Sequence, residues 1–70
     1  MITKGTDVKW KWGKGTVKGK VKDTFDRKIS ITTKGAKVTR NGTPENMALF
    51  IQQENGTELL KLESEVEPLD

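Results

Sequence analysis

Histidine and cysteine are both absent from the 70-residue chain. The first absence removes the commonest general base and the commonest metal ligand. The second removes disulfides, thiolate metal sites and the cysteine nucleophile. Lack of cysteine also permits a reducing compartment. Tyrosine is missing too, leaving Trp10, Trp12, Phe25 and Phe50 as the aromatics. There is no run of about 18 apolar residues, the length a membrane-spanning helix needs. Met1-Ile2-Thr3-Lys4 leads straight into a polar turn rather than an apolar signal core, so a cytoplasmic location is expected. Without His or Cys, catalysis would rest on carboxylates, Lys or Ser, and no enzyme is expected. Glu63 and Glu65 read as a solvated charge run near a strand end. No spaced carboxylates suggest a metal, and no cofactor is expected. Gly13-Lys14-Gly15 lacks the spacing and the following helix of a phosphate loop. The Asn-Gly-Thr triplets at 41–43 and 55–57 match a glycosylation acceptor but read more simply as turns.

What is present is charge, unevenly spread. Residues 1–40 carry 12 basic against 3 acidic side chains, a net +9, and residues 41–70 carry 1 against 7, a net −6. Opposite charges could meet across neighbouring strands, worth a few tenths of a kcal/mol per exposed pair. The alternative is a dipolar surface with a basic face for a polyanion. Seventy residues make a single domain, 1–70, because a second core would not fit. At this size burial at roughly 25 cal/mol per Å² nearly cancels chain entropy. A monomer is expected.

The chain is organised around Val8-Lys9-Trp10-Lys11-Trp12, which alternates strictly. A period of two marks a half-buried strand, with Val8, Trp10 and Trp12 on one face and Lys9 and Lys11 on the other. Gly13-Lys14-Gly15 closes a tight hairpin. Strand two runs from Thr16 to Phe25, with Val17, Val21 and Phe25 on one face and Lys18, Lys20 and Lys22 on the other. Gly19 in mid-strand implies a bulge or bend, or room for a neighbouring tryptophan ring. Strand three, Lys28 to Thr33, turns Ile29 and Ile31 inward. Residues 34–45 are nearly devoid of apolar side chains and read as a long mobile polar loop. Strand four, Met47 to Gln53, is the most apolar run, and Asn55-Gly56 turns it into strand five, Thr57 to Leu62. Ser64-Glu65-Val66 reads as one helical turn, and Pro68 opens an extended tail over 67–70. The expected core anchors are Val8, Trp10, Trp12, Val21, Phe25 and Phe50. The expected fold is all-β: a small, bent, five-stranded antiparallel barrel of the SH3 or Tudor type, with a long polar loop between strands three and four.

Gly5-Thr6-Asp7-Val8-Lys9-Trp10 resembles the opening G-D-x-V-x-W of the hypervirulence-associated protein Tudor family, small bacterial and fungal domains. Residues 13–21, Gly-Lys-Gly-Thr-Val-Lys-Gly-Lys-Val, look like that family's glycine-bearing second strand. Lys34-Gly35, the Asn-rich approach to strand four and the Asn55-Gly56 hairpin also sit where the pattern has them. The opening departs slightly, reading Gly-Thr-Asp. The resemblance implies a Tudor-like barrel over nearly the whole chain and carries over no site residues. Two functions are in play. One is a protein-interaction module using a strand edge or the 34–45 loop. The other is nucleic-acid binding with little sequence preference through Lys9, Lys11, Lys18, Lys20 and Lys22, with Lys14 at the hairpin tip. A methyl-lysine cage would need three or four aromatics around a cation, and four that fill the core leave none for it. If Trp12 stood exposed at the barrel mouth, that balance would change.

Overall fold

The computed structural model describes residues 2–33 and 35–69. In chain order the strands are β1 (Asp7–Trp12), β2 (Gly15–Phe25), β3 (Lys28–Thr33), β4 (Ala36–Asn41), β5 (Ala48–Gln53), β6 (Glu58–Leu62) and β7 (Glu67–Pro68). A single 3₁₀ turn, Glu63–Glu65, separates β6 from β7, one residue earlier than the sequence suggests. All strand pairings are antiparallel. The main sheet has the order β6-β5-β2-β1-β7, and β3 and β4 form a separate two-stranded hairpin. The all-β expectation therefore holds, but the five strands of the main sheet are not the five read from the sequence.

Two differences account for this. Residues 36–41 are not loop: they form β4, paired with β3 from Lys28↔Asn41 to Thr33↔Ala36. Such a strand needs few apolar residues because only one face is covered. Val38 and Arg40 are half-buried on it, while Ser30 and Thr39 share a 2.8 Å hydroxyl hydrogen bond on the open side. The turn that follows closes with the Thr43↔Asn46 bridge. The second difference is the tail. Glu67 and Pro68 pair with Lys9 and Val8, and the Leu69 N–H donates to the Asp7 carbonyl at 2.8 Å. Proline is tolerated there because an edge strand need not donate on its outer side.

The core gathers Ile2, Val8, Trp10, Val21, Leu49, Ile51 and Val66. Trp10 is 7% exposed, and Val8, Val21, Leu49 and Ile51 are fully buried. Gly19 is needed here: a Cβ on it would sit 2.5 Å from Ile51 Cγ2 and 3.3 Å from Trp10 Cη2. The glycine makes room for the indole, and the irregularity in β2 lies further on. The register with β5 shifts between Val21 and Asp23, so Lys22 is the extra residue of a bulge. Past the bulge the faces exchange. Thr24 stands opposite buried Leu49, whereas Phe25 and Asp23 stand opposite Ala48 and Phe50. That exchange takes Phe25 and Phe50 out of the Val21 core; both are half-buried, and Arg27 lies 5.5 Å from the Phe25 ring centre. They are not the core anchors expected of them. Ala48 and Leu60 are buried outside the main cluster. Both hairpin strands lie against β6. Gly42 sits on Ala48 so tightly that a Cβ would meet the Ala48 nitrogen and the Phe25 carbonyl.

Glu63 fastens Ile2 and the residue before β5 to the turn after β6. Its Oε2 accepts from the Ile2 N–H at 3.0 Å and its Oε1 from the Met47 N–H at 2.9 Å. It is part of the framework and not the solvated charge expected from sequence.

Candidate binding surfaces

Two surfaces meet along β1. The first is the lysine face. Lys9 stands directly opposite Lys18, Lys11 opposite Thr16, and Asp7 opposite Lys20. Alternation therefore brings Lys9, Lys11, Lys18 and Lys20 to one side of the sheet, as the sequence implied. Lys22 occupies the bulge and joins Lys18 and Lys20 around a shallow depression shared with Asp7 and Glu54. Lys14 lies in the hairpin turn, apart from the row. Among the described residues the only acid within ion-pair distance of these lysines is Asp7, 4.0 Å from Lys20 Nζ. Glu67 lies across from Lys9 in the ladder without reaching that distance. Directly opposed like charges cost a few tenths of a kcal/mol or more. No described acid makes an ion pair with either member of the Lys9–Lys18 pair.

The second surface is the mouth of the barrel. Trp12 is 73% exposed, so it is not the core anchor that alternation predicts. The reason is topological. Trp12 shares the face of Trp10, but it ends β1 and its cross-strand partner is Gly15, which has no side chain to cover it. The indole instead forms the lip of a groove of about 400 Å³ with Trp10, Val17, Val38, Leu59 and Lys61 among its walls. Sequence inspection missed this groove because one wall, Val38, belongs to the strand read as loop. Its available signal was the Trp-Gly-Lys-Gly junction, where the strand's last large residue meets glycines.

Nearby, the Arg40 Nε donates to Glu65 Oε1 at 2.9 Å, linking β4 to the 3₁₀ turn. The same carboxylate oxygen accepts the Leu62 N–H at 2.8 Å. Partial burial works to raise the Glu65 carboxyl, but the Leu62 N–H and the Arg40 guanidinium outweigh it and hold it below the ordinary range. Glu65, like Glu63, is tied into the structure.

Between the two surfaces β1 has an open edge. β7 covers only Val8 and Lys9, and then the chain turns away through the 3₁₀ turn. A second depression, of about 390 Å³, lies beside the uncovered part and is lined by Lys9, Trp10, Lys11 and residues 64–67. No group of three or more Asp or Glu side chains that could hold a metal occurs among the described residues. No helix among them is long and apolar enough to cross a membrane.

A five-stranded antiparallel sheet, closed by a 3₁₀ turn and a short last strand on β1, defines a small SH3/Tudor-like barrel. The family of the hypervirulence associated proteins TUDOR domain matches residues 5–66, and the chain belongs to that family. No curated protein and no solved structure matches it significantly.

Proposed function

We propose that the domain is a non-catalytic interaction module that takes a protein partner at the barrel mouth. The observation that supports this reading is Trp12, a nearly free indole set over an apolar groove in a chain otherwise poor in aromatics. Covering such a side chain is worth on the order of 2 kcal/mol, and tryptophan is enriched among the residues that dominate protein interfaces. Within the segment read as loop, residues 36–41 contribute as the wall strand β4. The test is to follow the two indole N–H resonances while titrating a peptide panel and an oligonucleotide panel. Protein recognition at the mouth shifts the Trp12 resonance with peptides only. Shifts confined to the lysine face would sink this reading.

A second reading, sequence-independent nucleic-acid binding, has its own support in the Lys9–Lys18 pair, with which no described acid makes an ion pair. It is weakened by alternation, which places Trp12 on the side of the sheet away from Lys9, Lys11 and Lys18. A stacked base on Trp12 and a phosphate path along those lysines cannot follow one continuous strand. Titration with duplex and single-stranded DNA at two salt concentrations decides it. Phosphate contact requires affinity that falls steeply with salt.

A further inference from the structure

We infer that the open edge of β1, at Lys11 and Trp12, pairs with an extended segment of a partner protein whose side chains alternate apolar and acidic. The inference rests on the mouth reading above and adds the conformation and chemistry of the occupant. It starts from how little of β1 is covered. The strand has six residues, β2 pairs with all of them, and β7 pairs with only two.

Backbone direction follows from parity. The Asp7 carbonyl accepts the Leu69 N–H, so the odd-numbered residues of β1 present their backbone to the β7 side. Lys11 is the next odd residue beyond the end of β7, and its N–H and C=O face the open edge with no strand of the described residues opposite. The depression lined by Trp10, Lys11 and residues 64–67 lies at that edge, so space exists beside it.

Side-chain preference follows from the ladder already formed. Directly opposed residues share a face. β7 places Glu67 opposite Lys9, on the lysine face. A strand that continues the ladder puts its next same-face residue opposite Lys11, which no described carboxylate neutralises. An acidic residue fits there. On one side of it the position opposite Trp10 is next in line after Glu67 and belongs to Val66, buried in the same cluster as Trp10. The residue on the other side falls opposite Trp12, on the face that opens to the groove, and an apolar side chain fits there. The expected occupant thus extends the pattern that β7 begins. Strand addition of this kind draws affinity from main-chain hydrogen bonds and specificity from alternate side chains.

The test uses the intact domain and three short synthetic peptides. One alternates valine and glutamate, one alternates valine and lysine, and one is the first with N-methylated backbone amides. The first is expected to shift the Lys11 amide and the Trp12 indole resonances together. The lysine peptide binds more weakly, and Lys11→Glu reverses the order of the two. N-methylation weakens binding by about tenfold, the effect of losing main-chain hydrogen bonds. Binding indifferent to N-methylation, equal affinity for both charge patterns, or no shift at millimolar peptide overturns the inference. If binding survives N-methylation but is lost in Trp12→Ala, the mouth remains the contact and edge pairing alone fails. If Trp12→Ala leaves all peptide binding unchanged, the mouth reading fails with it.

Discussion

Trp10 and Trp12 stand two residues apart on the same face of the same strand, yet one is 7% and the other 73% exposed. Trp10 is opposed by Val17, has space made for it by Gly19, and lies within the cluster of Val8, Val21 and Ile51. Trp12 is opposed by Gly15 and looks across an open groove. Alternation along a strand assigns a side chain to a face. Whether that face is covered depends on what lies across the ladder and on where the sheet stops. One indole is therefore framework and the other is free to meet a partner.

The sharpest way to break this contrast is to truncate each indole. Trp10→Ala is expected to destabilise the domain by about 3–5 kcal/mol, enough to leave so small a barrel largely unfolded in a denaturant titration. Trp12→Ala should lie within about 0.5 kcal/mol of wild type in the same titration. Comparable losses at the two sites would contradict the assignment.

Gly42→Ala comes next. A methyl there meets backbone atoms of Phe25 and Ala48, which cannot rotate away, so a loss of about 1–3 kcal/mol by thermal unfolding is expected. Glu63→Ala leaves the Ile2 and Met47 N–H groups without their acceptor. The expected cost is about 1–3 kcal/mol, which sets this carboxylate among the framework groups with Trp10. A neutral outcome would return Glu63 to the solvated run that the sequence suggests.

The smallest effect is on acid stability. The Glu65 carboxyl titrates lower in the folded protein than in the unfolded chain. Its contribution is therefore present above the unfolded value and lost as pH falls through the folded one. Glu65→Gln should lower stability slightly at neutral pH and converge with wild type in acid, so that the acidic limb of a pH–stability profile flattens. An unchanged acidic limb would show that the Arg40–Glu65 contact does not hold in solution.

Much of the barrel was legible because its strands carry their own signal. The β1 alternation, the apolar run of β5 and the Asn55-Gly56 turn each specify local structure without help from the rest of the chain. β4 and β7 carry almost none. β4 half-buries only Val38 and Arg40, and β7 is two residues long with a proline. Both exist because something else offers them a partner: β3 in one case, the edge of β1 in the other. The bulge at Lys22 was equally silent, and it moved Phe25 off the core face. The lysine row was readable from alternation alone. The groove was not, since it needs β4, β6 and the end of β1 brought together.

The most direct measurement is quenching of tryptophan fluorescence by acrylamide in two single-indole variants, Trp10→Phe and Trp12→Phe. With Trp12 alone, emission should be that of a water-exposed indole, readily quenched, and shifted toward the blue when a partner peptide is bound. With Trp10 alone, emission should be protected and insensitive to peptide. Equal protection of both indoles, or ready quenching of both, would contradict the division between framework and contact on which the account depends.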